Sequence, residues 1–214
     1  GVFQHLLAAA CLRAKTVDLS NGLIMHVLLI GYSRIARKRV ISALAASGQV
    51  TRLDVASQGS AEAARAEGKM PGEVFDSYSD ALEKSRAEIV YISLPNSMHA
   101  AWAEKALKSG RHVIVDKPAC TEYTDARRLC ELAGTKNLLF AEANVFPCHP
   151  QIERVRDEFR TAATDPTRIT AVFSFPPLPH DDFRYQPGCG GGAFNDLGPY
   201  AVSAGTVFFN EYPS

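Results

Sequence analysis

From Met25 onward the apolar positions switch repeatedly between a strand-like run and a helical period. His26-Val-Leu-Leu-Ile30 is an almost unbroken apolar run that stops at Gly31, and from Arg34 the spacing of Ala36, Val40 and Leu44 is that of one helix face, closed by Gly48. A second strand is predicted over residues 50–57, then a short helix that Ser60 can cap and Gly68 stops. A weaker strand near Val74-Phe75 precedes a helix over 79–85, and residues 89–94 make a strong fourth strand ended by Pro95. Ser97 is placed to cap a helix carrying Trp102, Ala106 and Leu107, closed by Gly110. The strand ending at Lys117, a helix from Thr121 and a last strand over 138–141 complete the series. Short buried strands alternating with helices predict a parallel sheet covered on both faces.

Past Asn144 the rhythm changes. A helix led by Pro150, with Ile152, Val155 and Phe159, precedes a β-rich run over 168–175 and a Pro/Gly-rich loop over 176–192. A final helix is expected to begin close to Asn195 with Pro199 in its first turn, and its stripe Phe194, Leu197, Ala201, Ala204 and Phe208 needs a surface to pack on. The expected class is α/β: a Rossmann doubly wound parallel sheet followed by a truncated α+β substrate domain. The expected bounds are 1–24 for an N-terminal extension, 25–145 for the dinucleotide-binding domain and 146–214 for a partial substrate-binding domain. On this reading the chain is a fragment, and a longer chain would be a candidate homo-oligomer. Leu6-Leu-Ala-Ala-Ala-Cys-Leu12 resembles a short signal core but no basic stretch precedes it.

Composition narrows the classes. Hydrophobic residues at 46% against 21% charged support a packed core rather than disorder. Lys+Arg and Asp+Glu both total 23, so nucleic-acid binding has little electrostatic support, and no apolar run approaches membrane-spanning length. The five cysteines are scattered without a CxxC pair or zinc-ligand spacing, which points to reduced thiols in a cytoplasmic protein and to no metal site.

Gly31-Tyr-Ser-Arg-Ile-Ala36 stands where G-x-G-x-x-G/A joins the first strand of a dinucleotide-binding unit to its helix. Gly31 permits the tight turn, Ala36 lets helix pack on strand, and Ser33 can donate its N–H and hydroxyl to a phosphate at the helix N-terminus, with Arg34 and Ile35 also expected among the cofactor-binding residues. At the end of the second strand Asp54 comes three residues too early to hold a ribose. Ser57 and Ser60 could instead bond a 2′-phosphate that Arg34 or Arg37 neutralises, favouring NADP with NAD possible, although Gln58 supplies no charge.

The segment His112-Val-Ile-Val-Asp-Lys-Pro118 puts a lysine where a buried strand emerges, the position at which open α/β sheets bind their ligands. Farther on comes Gly190-Gly-Gly-Ala-Phe-Asn-Asp-Leu-Gly-Pro-Tyr200, in which Asp196 and Tyr200 are i and i+4 and share a helix face. Reduction of a ketone needs a hydride and a proton for the developing alkoxide, and a phenol next to an ammonium can supply the proton. Taken alone, Lys117 also fits a solvated strand-end lysine, Asp196 a first-turn acid and Tyr200 a half-buried aromatic.

Several further motifs occur in one order with these: Leu94-Pro-Asn-Ser-Met-His99, Gly110–Pro118, Glu142-Ala-Asn144 with Phe146 and His149-Pro150, and Phe183-Arg-Tyr185. From His26 to the end the chain resembles the Gfo/Idh/MocA oxidoreductases, closest to the branch that reduces 3-keto groups of nucleotide-linked hexoses. The resemblance implies that Lys117 is the lysine of an E-K-P signature with Asp116 in place of glutamate, and that Tyr200 occupies the proton-donor position four residues after the signature aspartate, Asp196. It assigns Leu94, Pro95, Asn96, His99 and Asp116 with Lys117 to the cofactor, and Asn144, Arg184, Asp196 and Tyr200 with Lys117 to a sugar or nucleotide-sugar substrate. Two other activities fit the same residues: dehydrogenation of a free sugar, cyclitol or dihydrodiol, and a non-catalytic cofactor-binding sensor.

Overall fold

The computed structural model describes residues 25–68 and 71–209. The expectations for residues 1–24 lie outside the described residues. Strands β1 (Met25–Ile30), β2 (Val50–Ala56), β3 (Val74–Phe75), β4 (Ile89–Ile92), β5 (His112–Val115) and β6 (Phe140–Glu142) form one sheet in the order β3-β2-β1-β4-β5-β6, and every neighbouring pair is parallel. That is the doubly wound order in which the chain reverses direction between β1 and β4.

Strand alternation explains the two cores. Val27, Leu29, Ile89, Tyr91 and Ile114 point to one face, with Ala36, Ile41 and Leu44 of the helix after β1. Leu28, Ile30, Val90, Ile92, Val113 and Val115 point to the other, with Tyr78, Trp102, Ala103, Leu107 and Leu129. Because both faces are buried, the strands read as continuous apolar runs, and each Val, Leu or Ile so enclosed contributes roughly 1.5–3 kcal/mol.

The helices follow the expected order with shifted ends. The first opens as a π turn, Ala36–Val40, and continues as α1 (Ile41–Ala46). α2 (Ala61–Glu67) is stopped by Gly68 in the left-handed region, but the Ser60 side chain makes no cap bond; instead the Ser57 hydroxyl accepts the Ser60 N–H at 3.2 Å. α3 (Tyr78–Lys84) is capped by Ser77, whose hydroxyl accepts the Asp80 N–H. α4 (Asn96–Lys108) starts one residue before Ser97, with Pro95 at the cap position, so Ser97 lies inside the helix and caps nothing. α5 (Tyr123–Thr135) begins two residues after Thr121.

Beyond β6 the described chain is helical and irregular. α6 (Pro150–Ala162) opens on Pro150, and His149 Nδ1 caps it by accepting the Gln151 N–H at 3.1 Å. Residues 168–175, expected as β-rich, form no strand. Strand propensity alone does not hold an extended segment, and no described strand lies beside this one to complete a ladder. α7 (Ala193–Phe209) starts two residues before Asn195, which moves Pro199 from the first turn into the helix, where the missing N–H leaves the Asn195 carbonyl without its helical donor. Its stripe is not buried as a unit: Ala204 is enclosed and Phe208 meets Phe159 at 6.4 Å between ring centroids, while Phe194 is 83% exposed.

Candidate active site

The carboxyl ends of β1, β4 and β5 converge at the reversal point of the sheet. Gly31 leaves β1 at φ +96°, and a Cβ there would stand 2.1 Å from the Ser93 carbonyl oxygen, so only glycine lets the β1 turn lie against the β4 tip. Ser33 caps the following helix: its hydroxyl accepts the Ala36 N–H at 3.0 Å and lies 2.7 Å from the Ser93 hydroxyl. Ser93 in turn donates to Asp116 at 2.6 Å, and Tyr91 donates to the other Asp116 oxygen at 2.7 Å. The donors are therefore Ala36 N–H, Ser33 O–H and Ser93 O–H in turn, and the Asp116 carboxylate is the final acceptor. This commits the Ser33 hydroxyl inside the protein and leaves main-chain N–H groups as what the turn offers an anion. The N–H groups of Arg34 and Ile35 precede the first bond of the helix, Arg37 N–H to Ser33 C=O at 3.0 Å.

Lys117 follows Asp116 directly. Its ammonium donates to the Asp196 carboxylate at 2.5 Å and to the Asp196 main-chain carbonyl, and it lies 4.8 Å over the Tyr200 ring centroid. The lysine at the end of β5 is thus brought to the residue pair on the first turns of α7, across some eighty residues of chain. Both partners of the pair are partly buried, at 18% and 13% side-chain exposure, so the bond is less screened than a surface pair. Arg184 Nε lies 3.3 Å from the second Asp196 oxygen, and its guanidinium also bonds Asp182 at 3.1 Å. The Arg184 N–H at Asp182, followed by the guanidinium, holds the Asp182 carboxyl below the ordinary carboxylate range, with Arg34 contributing from the turn after β1.

Tyr200 belongs to an aromatic group. Its ring stacks on Phe173 at 5.3 Å and 26°, and Phe146 meets both edge-on. With Val145, His149, Gln151 and Ile152 these rings line a pocket of about 290 Å³. Asn144 ties the end of β6 to α7 through the Ser203 hydroxyl and the Pro199 carbonyl.

The family pattern described as an oxidoreductase family with an NAD-binding Rossmann fold matches residues 25–143. The chain belongs to the Gfo/Idh/MocA oxidoreductase family. It is 35% identical over 190 residues to the dTDP-3,4-didehydro-2,6-dideoxy-alpha-D-glucose 3-reductase of Actinomadura kijaniata, covering 88% of this chain and 57% of the relative. It is 36% identical to the enzyme of that name from Saccharopolyspora spinosa, covering 86% and 56%. The crystal structure of a 3-ketoreductase from Actinomadura kijaniata with NADP and TDP-benzene superimposes with a TM-score of 0.80 at 35% identity, over 87% of this chain and 57% of that one. The chain therefore spans little more than half the length of these relatives.

Within this Gfo/Idh/MocA chain, the expected substrate and cofactor residues fall into two groups. Gly31, Ser33, Arg34, Ile35, Ala36, Leu94, Pro95 and Asp116 surround the strand ends, and Lys117, Asp196 and Tyr200 meet directly. The others have side chains already engaged by the protein. Asn96, 7% exposed, donates to the Gly190 carbonyl at 2.9 Å, and a Cβ at Gly190 would stand 2.9 Å from that of Asn96. The glycine run thereby docks the loop before α7 onto the start of α4. His99 is 1% exposed between two carbonyls, and Arg184 serves Asp182 and Asp196. Ser57 is 5% exposed, with its hydroxyl accepting the Ser60 N–H. Arg37 pairs with Glu67 across α2. Asp54 is buried, accepting from Ser85 at 2.7 Å and from the Glu73 N–H at 2.9 Å, as its early position in β2 implied.

Sequence reasoning passed over Ser93, Phe173 and the ring of Phe146 as parts of the site. Ser93 carried a signal, standing one residue before the Leu94-Pro95 strand end. Phe173 carried none, since it lies in an irregular segment that only the tertiary structure brings to Tyr200. Among the described residues there is no cluster able to hold a metal ion and no helix long and apolar enough to cross a membrane. The described cysteines are free.

Proposed function

We propose that this chain carries the catalytic centre of an NADPH-dependent, cytoplasmic reductase acting on the C-3 ketone of a nucleotide-linked hexose. The observation that carries the reading is the meeting of Lys117, Asp196 and Tyr200 at the strand ends, beside the nucleotide turn. The residues present fit a dinucleotide. The turn at Gly31 presents main-chain N–H groups at a helix start, and the tip of β2, Ser57-Gln58-Gly59-Ser60, carries no carboxylate to repel a 2′-phosphate. When bound, such a cofactor supplies the hydride.

The chain's own residues do the rest. Lys117, held by Asp196, directs its ammonium at the space above Tyr200, where it polarises a carbonyl oxygen and stabilises the negative charge that grows there. The Tyr200 hydroxyl, which no described side chain or carbonyl engages, gives that oxygen its proton. Asp196 fixes the lysine between its side-chain and main-chain oxygens, and Arg184 holds the free edge of the carboxylate. The pocket beside Tyr200, walled by Phe146 and Phe173, sets an apolar surface on one side of the reacting carbon.

The names of the relatives support the substrate class, and structures of the Actinomadura protein have been solved with a lysine replaced by alanine and with a tyrosine replaced by phenylalanine. The test is to mix the protein with NADPH and a panel of dTDP-linked keto-sugars, free sugars and cyclitols and to follow loss of NADPH absorbance. Oxidation of NADPH by the nucleotide-linked ketones alone is the expected result. Turnover confined to free sugars or cyclitols would overturn the substrate assignment, and cofactor binding without turnover of any of them would favour a sensor.

A further inference from the structure

We propose that His99 is a positioning residue that ties the nucleotide turn to the catalytic lysine, an inference that rests on the proposed roles of the Gly31 turn and Lys117. His99 stands in the first turn of α4 and is 1% exposed, so it reaches neither solvent nor a ligand. Its Nδ1 lies 2.7 Å from the Pro118 carbonyl oxygen and its Nε2 2.8 Å from the Leu94 carbonyl oxygen. Carbonyl oxygens accept and never donate, so each bond is given by a ring N–H, and the two-ended tie requires a hydrogen on both ring nitrogens; a ring with one N–H would bond a single carbonyl, and loosening at one end only in His99→Leu would show it.

Each carbonyl belongs to a different part of the site. Leu94 and Ser93 form the β4 tip against which Gly31 turns: a Cβ on Gly31 would stand 2.8 Å from Leu94 Cδ2. Pro118 is the residue after Lys117, and the peptide that joins it to Ala119 is held at both ends, its C=O by His99 and its N–H by Glu142 at 2.9 Å. On the other side of the lysine, Asp116 is held by Tyr91, by Ser93 and through its N–H by the Ile92 carbonyl. Lys117 therefore stands between two pinned neighbours, with a side chain free to reach Asp196 and the substrate space. One imidazole spans the gap from the β4 tip to the far side of that lysine. A shift at the turn is thereby transmitted to the ammonium by a rigid ring rather than by a long flexible side chain.

Two conservative replacements separate the two bonds. An asparagine amide occupies roughly the place of Nδ1 and a glutamine amide that of Nε2. His99→Asn keeps the donor to Pro118 and loses the one to Leu94, His99→Gln does the reverse, and His99→Leu loses both. Hydrogen exchange of the cofactor-free protein reads each end separately. His99→Asn is expected to speed exchange in residues 93–98 and His99→Gln in residues 116–122, each roughly 5–10-fold, the size of one lost hydrogen bond, while His99→Leu speeds both. NADPH affinity should then fall more in the asparagine variant and turnover more in the glutamine variant. Equal loosening of both segments in the asparagine and glutamine variants, or no loosening in any variant, would overturn the proposal. Exchange that splits as expected in a protein that binds no NADPH would leave the clamp standing and refute the cofactor reading. If His99→Leu fails to fold, the asparagine and glutamine pair decides alone.

Discussion

In the proposed reaction Lys117 and Tyr200 divide the work at the reacting oxygen between a fixed charge and a transferable proton. Tyr200→Phe keeps the ring that stacks on Phe173 and receives the Lys117 ammonium but removes the hydroxyl. Turnover should fall by ~10²–10⁴-fold with NADPH affinity little changed, as measured by steady-state kinetics beside calorimetry. Undiminished turnover would move the donor to another group. Lys117→Ala should be at least as damaging, and Lys117→Arg should not restore activity, because a planar fork does not fit the two Asp196 oxygens that a compact ammonium bonds. At the other end of the cofactor, the β2 tip offers hydroxyl and amide groups and no acid, and the nearest acid of that strand, Asp54, is buried and engaged. NADPH should bind more tightly than NADH; calorimetry showing equal or reversed preference would reject the reading of Ser57 and Ser60.

At the scale of elements, the site depends on how closely loops and strand ends approach. Gly31→Ala forces a side chain into a left-handed backbone and against the Ser93 carbonyl, a combination that should cost about 2–5 kcal/mol and be read as a lower denaturation midpoint. β2 is anchored elsewhere by Asp54. Burial alone would raise its carboxyl, but the bonds from the Glu73 N–H and Ser85, with His26 and Arg52 alongside, hold it below the ordinary value of 3.8. His26 Nε2 lies 2.8 Å from Asp54 Oδ2, although not along a hydrogen-bond direction. A carboxyl lowered by folding stabilises the protein above the unfolded aspartate value of about 3.9, and that contribution is lost as pH falls through the lower folded value. Asp54→Asn should therefore destabilise by roughly 1–3 kcal/mol near neutral pH, and the gap between variant and wild type should close as the pH of the denaturation experiment drops below about 4. A gap independent of pH would show that packing rather than charge is what Asp54 supplies.

For the whole molecule, the contrast lies between the sheet and the segment C-terminal to β6. Both faces of the sheet are sealed by apolar side chains, whereas residues 164–182 contain neither helix nor strand and are largely exposed. Brief proteolysis should cut first within 164–182 and leave the six-stranded unit intact, as fragment masses would show. First cuts inside β1–β6 or α4 would contradict that order of stabilities. The same contrast bears on the site, because Asn144 and the Lys117–Asp196 pair tie α7 to the ends of β6 and β5, while Asn96 ties the loop before α7 to α4.

The strands, their parallel order and the place of Lys117 at a strand end were legible in the residues, because period and burial are local properties repeated along the chain. So was the pairing of Asp196 with Tyr200 on one helix face, which follows from their spacing alone. The limits of the helices were not: Ser60 and Ser97 look like caps, yet whether a side chain caps depends on the path of the surrounding turn, and neither helix start is closed by a side chain, the Ser60 N–H itself being taken by Ser57 and Pro95 standing at the cap position of α4. Likewise, residues 168–175 have the composition of a strand without a described partner to pair with, and strand formation is a property of two segments, not one. Only the tertiary structure decided that Lys117 meets Asp196, that Ser33 gives its hydroxyl to Ser93, and that His99 sits between two carbonyls. Apart from the short-range His99–Leu94 contact, these bonds join segments from 19 to 79 residues apart, so no local pattern contains them, and they form where the parallel sheet brings the ends of β1, β4 and β5 together and α7 packs beside them.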